Sequence, residues 1–488
     1  MDDWSFNVNV GASLNDSQYE MLGYSGGLII PNFFAVHNID FDKAWKSKEE
    51  GWHDQTQAVF ANAEVGWRSM IYLTATGRND WDSRLAFSDY KSFFYPSVGL
   101  SAILTSMFDT PDWLNFLKIR GSYTEVGNSY DRFMTTVTYP YDEEGQRWSS
   151  STTYPNTKLK PERTKSWEFG FDAKLLNHIS ANLTYYRSNT YNQTFYAKLS
   201  ESSGYTSIPI QSGNIMNEGI EMALGYNNQW GDISFSTGYT LTWNRNEVKR
   251  LADGAINYVT GELIEMPELS VLGYGTTDAR LILRVGGSMG DVYGQRLLKR
   301  DLNGYILNDP ATGLSMENQE VYLGSILPKV NMGWNTGLGY KGLQLGLTFT
   351  ARLGGIAISE TQSVLDAAGV SQISADIRDA GGIPINQAKI PAQDYFQTIK
   401  GASAYYTYSA TNVRLGELSL SYSLPGKWFK DKIGMTVGFV GKNLWMIYCK
   451  APFDPEITSS ATSNFYQSFD AYLLPSTRSF GFNVQFQF

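Results

Sequence analysis

The sequence is poor in cysteine, histidine and long apolar runs, and each shortage excludes a class of protein. Cys449 is the only cysteine among 488 residues, so the chain cannot form an internal disulfide framework or a cysteine-based metal cluster. The three histidines are scattered, without the spacing of a zinc site. No run of about 18 apolar residues exists, which excludes a membrane-spanning helix. The formal net charge of −9 predicts no binding of nucleic acid, which requires clustered basic residues.

Aromatic residues and glycine are abundant instead. The chain contains 31 tyrosines, 26 phenylalanines, 13 tryptophans and 46 glycines. Aromatic residues favour β-strands, and this composition is far from that of chains that remain disordered.

The last nine residues, FGFNVQFQF, place an apolar side chain at every second position. Successive side chains of a β-strand point to opposite faces, so these apolar residues would share one face and the polar ones the other. About fourteen segments of the chain show this alternation. We predict strands near residues 5–13, 55–66, 69–79, 92–107, 115–126, 163–176, 179–196, 214–229, 232–250, 328–340, 343–353, 411–424, 433–448 and 476–488.

Long and short connections alternate between these strands without exception. The five longest connections are predicted near 14–54, 127–162, 251–327, 354–410 and 449–475. Outer-membrane β-barrels sort their connections in this way, with long loops outside the cell and short periplasmic turns. We therefore predict an all-β, transmembrane antiparallel barrel in the cell outer membrane, with its apolar face toward lipid. The alternative is a soluble sandwich, in which the polar face would be the solvated exterior.

Several ordered motifs resemble the SusC/RagA-like TonB-dependent transporters of the Bacteroidetes outer membrane. The similarity extends over nearly the whole chain, and the order of the motifs is more specific than any one of them. The motifs are YLTATGRNDWDSRLAF (72–87), YPSVGLSAIL (95–104), LKIRGSYTEVGN (117–128), LKPERTKSWEFGFD (159–172), NIMNEGIEMALGY (214–226), GDVYGQRLLKRDLNGYI (290–306), VRLGELSLSYSLP (413–425), GKNLWMIY (441–448), FDPE (453–456) and the terminal strand.

The resemblance implies that the chain is the C-terminal part of a larger barrel. Members of the family begin with a signal peptide and a plug domain, and the plug fills a barrel of about 22 strands. The sequence MDDWSFNVNV lacks the basic start and apolar segment of a signal peptide, and all the matching motifs are those of the C-terminal portion. We therefore expect residues 1–488 to lack the plug and the N-terminal strands. An open sheet of fourteen strands would leave two unpaired edges in lipid.

The function that the resemblance implies is active import of a nutrient oligomer, a glycan in the first hypothesis and a peptide in the alternative. A SusD-like lipoprotein would sit on the extracellular face, and TonB would act through the plug. The family implies neither enzymatic activity nor a cofactor. Two further hypotheses are a passive channel made by a self-closed barrel, and a structural surface protein. The structural surface protein is disfavoured because it needs no polar lumen. In this sequence four charged residues would point into one: Glu168, Asp172, Lys174 and Arg352.

Candidate binding residues are aromatic side chains in the long loops, because sugars and peptides both bind flat aromatic surfaces. These candidates are Trp45, Trp52, Trp148, Tyr154, Tyr405, Tyr406 and Tyr408. The alternative for each is packing inside its own loop. The resemblance also implies that Phe480, Phe482, Phe486 and Phe488 form a C-terminal signal for outer-membrane assembly.

Three short motifs are interpreted as coincidences or turns. The G-x-S-x-G match at 23–27 lacks the strand-to-helix context of a hydrolase elbow. The G-x-G-x-x-G match at 337–342 is followed by a strand where a dinucleotide site requires a helix, so it is predicted to be a hairpin turn. Asp301, Asn303 and Asp309 lack the remaining ligands of a calcium loop, so a solvated hairpin is preferred and no metal site is predicted.

Overall fold

The computed structural model describes residues 3–43, 45–139, 141–142, 147–199, 203–211, 213–251, 255–256, 261–264, 266–309, 313–386, 388–429, 432–459 and 464–488. None of the helices in these ranges is both long and apolar enough to cross a membrane.

One antiparallel sheet of fourteen strands dominates the structure, and each strand pairs with the next one along the chain. This order is an up-and-down meander, and all fourteen predicted segments are confirmed as strands. The strands are β1 (Trp4–Gly26), β2 (Trp45–Trp67), β3 (Ile71–Asp82), β4 (Phe93–Ile103), β5 (Leu114–Asn128), β6 (Glu162–Leu175), β7 (Ile179–Tyr191), β8 (Asn214–Trp230), β9 (Ile233–Arg250), β10 (Val330–Tyr340), β11 (Leu343–Leu353), β12 (Asn412–Ser423), β13 (Gly434–Cys449) and β14 (Ser479–Gln487).

The first long connection is much shorter than predicted. Strands β1 and β2 each contain 23 residues and stay in register from Trp4 opposite Trp67 to Gly26 opposite Trp45. The connection is therefore 27–44 rather than 14–54. The predicted boundary was wrong because polar and apolar residues are mixed on both faces of the distal halves of these strands, so the alternation is lost while backbone pairing continues.

The two faces of the sheet differ sharply. Pairing across the strands aligns apolar side chains into continuous rows, such as Phe169 opposite Tyr185 and Tyr185 opposite Ile220. Many of these side chains are exposed, and Phe482 on β14 is 83% exposed. The opposite face carries rows of charged and hydroxyl side chains, as the alternation predicts. An apolar face this extensive is typical of contact with lipid.

The edges of the sheet are not joined to each other. Among the described residues, β1 pairs only with β2, and β14 pairs only with β13. The described strands therefore form an open wall and not a self-closed ring.

The short connections lie together at one end of the sheet and the long ones at the other. Between β10 and β11 the turn residues Lys341 and Gly342 have φ angles of 44° and 88°. Two positive φ values are typical of the tight turns that match the twist of a hairpin. The G-x-G-x-x-G match is therefore a hairpin turn, as predicted.

The connections contain regular elements that hydrophobic alternation did not predict. Four α-helices are present in the described residues: α1 (Leu104–Met107), α2 (Glu360–Ala367), α3 (Gln372–Asp379) and α4 (Ala392–Ile399). Short strands in the connections are Tyr141–Asp142, Arg147–Trp148, Thr194–Lys198, Ser207–Gln211, Ala255–Ile256, Leu263–Ile264, Glu268–Gly273, Arg280–Arg284, Asp291–Leu298, Asn308–Asp309, Gly313–Leu314, Met316–Ser325, Ile356–Ser359, Ile383–Ile385, Ala388–Ile390, Thr407–Ser409 and Phe469–Asp470. The 3₁₀ turns are Val36–Asn38, Ser83–Leu85, Ser403–Tyr405, Gly426–Phe429 and Asn464–Tyr466.

The assignment of the apolar face to lipid can be tested with neighbouring substitutions in the middle of β11. Leu347 lies on the apolar face of β11, between Thr336 and Leu418, whereas Thr348 lies on the other face between Asn335 and Glu417. We expect Leu347→Arg to destabilise the barrel by about 2–4 kcal/mol, because a charge would enter hydrocarbon. Thr348→Arg should cost much less. Urea unfolding of the full-length protein in lipid measures both, and equal costs would contradict the assignment.

Candidate functional site

The long connections after β7 pack together into one body, which we call the loop body. Its larger apolar core contains side chains from four connections and the adjoining end of β9, among them Phe195, Ile208, Leu281, Ile358 and Phe469. Strand Ile356–Ser359 joins the core by pairing in parallel with Phe469–Asp470. The long connections after β7 therefore form one folded unit and not independent loops.

A second apolar core lies within the same body. Helix α4 contributes Phe396 and Ile399, which pack with Leu298, Ile385 and the almost fully buried Tyr406. Other members of this core are Leu314, Ile390 and Ala392. Together the two cores give the loop body its own hydrophobic stabilisation, independent of lipid.

Buried carboxylates join the connections within the loop body. Asp278 accepts hydrogen bonds from the backbone and hydroxyl of Ser403, at 2.7 and 2.5 Å, and from the backbone of Gln295 at 3.0 Å. Asp470 accepts from the hydroxyls of Ser359 and Thr361, at 2.6 and 2.9 Å. Because donors from other connections satisfy these carboxylates, the hydrogen bonds cross-link the connections.

Arg414 and Asp454 connect the loop body to the sheet. Arg414 of β12 donates two hydrogen bonds to Asp454, of 3.0 and 2.7 Å, and its guanidinium lies 3.3 Å from Glu456. Both partners are about nine-tenths buried. Burial by itself raises the pKa of Asp454, but the hydrogen bonds and charge of Arg414 outweigh it and bring the pKa below its ordinary value. This pair places the FDPE motif against the end of the sheet.

The polar face of the sheet carries a pocket of about 420 Å³ on strands β2 to β6. Glu64, Lys118, Arg120 and Glu168 line it, together with Tyr72 and several small residues. Arg120 is fixed by hydrogen bonds to Asp172 at 2.5 Å and to the hydroxyl of Thr184 at 2.6 Å. Such a wall can hydrogen-bond to a polar neighbour or ligand, and it presents no arrangement of nucleophile and base.

A second pocket, of about 450 Å³, lies where β9 meets the loop body. Asn244, Arg245 and Glu247 line one side, and Asp291 and Tyr322 line the other. The Tyr322 hydroxyl donates to Asp291 at 3.1 Å, and burial raises the pKa of both groups, that of Tyr322 to about 12. More than half of Tyr322 is exposed, so its ring is accessible from the pocket. Sequence reasoning missed this pocket, because its two sides come together only through the packing of the loop body.

The seven predicted binding aromatics do not form one site. Trp45 and Trp52 lie on β2 and not in a loop, and alternation places them on opposite faces of the strand. Trp45 contacts Phe41, with ring centroids 5.1 Å apart. Trp52 stacks on Tyr19 at 5.7 Å and lies 3.6 Å from the Arg132 guanidinium.

The other five aromatics are divided among the loops. Trp148 is 71% exposed on its short strand. Tyr154 packs against the larger core, and Tyr405 and Tyr406 against the second, as the packing alternative predicts for them. Tyr408 is partly buried against Phe453, and burial raises its pKa to about 12. A binding role for these residues stays a prediction.

The short motifs that we interpreted as coincidences or turns are explained by the local structure. The G-x-S-x-G match lies at the end of β1 and the start of the following loop, without a strand-to-helix turn. The Asp301 side chain accepts from the backbones of Asn303 and Tyr305, which closes a turn. No group of three or more potential metal ligands occurs within the described part of the chain.

The four phenylalanines of the predicted assembly signal lie on the open edge of the sheet. Phe480 and Phe482 both contact Phe439 of β13, at 6.1 and 5.3 Å between ring centroids, and Phe486 stacks with Phe488. Their role as a signal stays a prediction.

These features define the wall of an outer-membrane β-barrel. The meander has one apolar and one polar face, and its long loops pack together at one end. The chain belongs to the family described as "TonB dependent receptor-like, beta-barrel", whose model matches residues 2–309. This family comprises transporters and receptors of the outer membrane and not enzymes. The predicted resemblance is thereby confirmed.

Several known proteins are similar to this chain. TonB-dependent receptor P3 of Formosa agariphila is 26% identical over 466 residues, which are 88% of this chain and 45% of that protein. TonB-dependent receptor SusC of Bacteroides thetaiotaomicron is 22% identical over 502 residues, covering 93% of this chain and 47% of SusC. The RagAB peptide importer in its open-open state has a similar fold, with a TM-score of 0.78 at 19% identity, over 100% of this chain and 53% of that one. The chain thus spans about half the length of the relatives it matches.

The Arg414–Asp454 pair predicts a pH dependence of the loop body. A carboxyl whose pKa is lowered by folding stabilises the fold above its ordinary pKa of about 4, and this stabilisation is lost as the pH falls through the lowered value. We expect Asp454→Asn to loosen the loop body at pH 7 by about 3–5 kcal/mol, because Arg414 would be left buried without its main partner. The loss of stability is measured as reduced hydrogen-exchange protection of the loop body and as faster limited proteolysis of its loops.

The matched control is Asp89→Asn, which removes the partner of Lys158 in an ion pair that is more than half exposed. This change should cost less than about 1 kcal/mol. Equal protection of the loop body in the wild type and Asp454→Asn would contradict the role assigned to the pair.

Proposed function

We propose that this chain forms the C-terminal barrel wall and extracellular loop body of a TonB-dependent importer of the SusC/RagA type. The observation that carries the proposal is the open meander, whose polar face and loop body belong to one continuous fold. A pore needs a polar lumen, and selective uptake needs a structured entrance. The membership of the family and the similarity to SusC support the same function.

Further strands and a plug complete the importer in this proposal. Unpaired backbone groups in hydrocarbon cost several kcal/mol each, so the free edges of β1 and β14 require neighbours. With a plug in the lumen, transport depends on TonB, and a SusD-like lipoprotein covers the loop body from outside. The alternative is a passive channel, which would also need further strands because the described sheet is open, and which differs by needing no energy.

The proposed substrate is a nutrient oligomer, with a glycan as the first candidate. The pocket between β9 and the loop body combines the accessible ring of Tyr322 with planar polar groups of Asn244, Arg245 and Glu247. Sugars bind such sites by stacking on the ring and by hydrogen bonds to the planar groups. A peptide is the second candidate, because the RagAB proteins of similar fold are peptide importers by name.

The test is uptake of labelled oligoglycans and peptides by cells with and without the full-length gene, and with and without TonB. We expect the gene to support uptake of one substrate class only when TonB is active. Uptake that persists without TonB would support the passive channel instead, and uptake of peptides alone would overturn the glycan assignment.

Two substitutions of Tyr322 test the pocket. Tyr322→Ala removes the ring and should weaken binding of the glycan by about tenfold, since stacking contributes roughly 1 kcal/mol or more. Tyr322→Phe keeps the ring and removes only the hydrogen bond to Asp291, so it should bind nearly as well as the wild type. Calorimetry on the purified importer measures both, and unchanged affinity in Tyr322→Ala would exclude this pocket as the binding site.

A further inference from the structure

Asp291 is a buried carboxylate that faces the pocket between β9 and the loop body without a cation of its own. It is 6% exposed, and no salt bridge to it occurs within the described residues. Its hydrogen bonds come from the backbone amide of Ser288 at 2.8 Å and the hydroxyl of Tyr322 at 3.1 Å, and both donors are neutral. Buried charges are normally paired with an opposite charge or with a metal ion. The pocket therefore presents a negative charge that the described part of the chain leaves uncompensated.

The other carboxylate that lines the pocket is already paired. Glu247 lies 2.9 Å from the Arg245 guanidinium and 2.6 Å from the Lys249 ammonium group. Arg245 also lies 3.4 Å from Glu218. These four charges cancel one another on the β9 side, so none of them neutralises Asp291.

Lys329 is the remaining charged residue that lines the pocket. It lies on the β9 side, where its carbonyl accepts a hydrogen bond from the backbone of Asn244 at 3.1 Å. Lys329 is exposed, so water can satisfy its ammonium group. A hydrated ammonium group on one side of the pocket does not neutralise a carboxylate that is buried on the other side.

The position of Asp291 separates it from the free edges of the sheet. β9 pairs with β8 and β10, whereas strands that complete a barrel would join β1 and β14. Asp291 itself is paired with Ser325, and the neighbouring loop is joined to Val248 of β9 by two backbone hydrogen bonds of 2.8 Å. Strands added at the edges therefore cannot supply the missing cation, which has to enter through the pocket.

A primary ammonium group has the chemistry that this carboxylate lacks. It carries a positive charge and three hydrogen-bond donors, and each oxygen of Asp291 accepts one hydrogen bond and keeps a further lone pair. The ring of Tyr322 lines the same pocket and packs on Tyr293, with ring centroids 5.3 Å apart. Aromatic rings attract cations through their faces, so the ring strengthens the preference for a cationic ligand.

A metal ion fits the pocket less well than an ammonium group. Calcium requires six to eight oxygen ligands, most often from several carboxylates. No group of three or more potential metal ligands occurs in the ranges that the structure describes. The cation is therefore part of an organic ligand.

We propose that the pocket binds a glycan through a primary amine, as in an oligomer of glucosamine, and that Asp291 selects this amine over its acetylated form. The inference rests on the proposed glycan importer and specifies the class of sugar. An acetamide has no charge and a single donor, so it cannot replace the ammonium group. The accessible ring of Tyr322 and the planar groups of Asn244 and Arg245 favour a sugar over a peptide, because they suit stacking and hydroxyl contacts.

The direct test is calorimetry on the full-length importer with two matched ligands. They are an oligomer of glucosamine and its fully N-acetylated counterpart, at a pH that keeps the amines protonated. We expect the wild type to bind the amine form at least about tenfold more tightly, because acetylation removes a charge-assisted hydrogen bond. Equal affinities would overturn the inference. A cation supplied to Asp291 by another part of the full-length chain would give that result.

Asp291→Asn keeps the shape of the side chain and removes its charge. The amide oxygen can still accept from the backbone of Ser288, so the local fold is preserved. We expect the preference for the amine form to disappear, and an unchanged preference would overturn the role of Asp291. The preference is a ratio of two affinities of one variant, so a smaller folded fraction does not alter it. Asp89→Asn changes the net charge equally, outside the pocket, and should keep the wild-type preference.

Peptides with free and acetylated N-termini test the other source of a primary amine. Binding of the free peptide that depends on Asp291, without binding of glucosamine oligomers, would overturn the assignment to a glycan. The outcomes also separate this inference from the proposed function. TonB-dependent uptake of glycans together with equal binding of the two matched ligands overturns only the amine site. Absence of TonB-dependent uptake of any glycan or peptide overturns the importer.

Discussion

Backbone hydrogen bonding without water is the constraint on which this structure depends. A strand in hydrocarbon must exchange its hydrogen bonds with a neighbour on each side, because an unpaired amide or carbonyl group has no solvent to bind. The twelve inner strands of the meander satisfy this requirement within the chain, and β1 and β14 satisfy it on one side only. The sheet order and the tight turns at one end follow from it, whereas the apolar face follows from contact of the side chains with hydrocarbon. The need for neighbouring strands along the two free edges follows from the same constraint on the backbone.

The long connections at the other end of the sheet lie outside hydrocarbon. They are stabilised by apolar cores, as in a water-soluble globular protein. The loop body buries apolar side chains from several connections, and its buried carboxylates accept hydrogen bonds from donors in other connections. The hydrogen bonds between Arg414 and Asp454 connect the loop body to β12. The lipid-facing sheet and the loop body with its own apolar cores therefore meet within a few residues of Arg414.

Strand positions could be predicted from the sequence because each strand carries its signal locally, in the alternation of polar and apolar residues. Two kinds of feature could not. The distal halves of β1 and β2 mix polar and apolar residues on both faces, as where Asp16 pairs with Gln55, so they show no regular alternation. The loop body is built from contacts between distant residues, such as Ser359 with Asp470, which are 111 positions apart. The burial of Tyr406 depends on those same long-range contacts, whereas Trp45 and Trp52 are separated because both lie on β2, on opposite faces.

The sequence by itself determined the membrane-facing wall and the family, because a period of two and an ordered set of motifs are properties of the linear chain. It also determined the absence of a cysteine-based metal cluster, since Cys449 has no second thiol to join it. Only the tertiary structure decided which loops pack together and where pockets form. The physical reason is that the wall arises from pairing between adjacent segments, whereas the loop body and its pockets arise from packing among segments far apart in the chain.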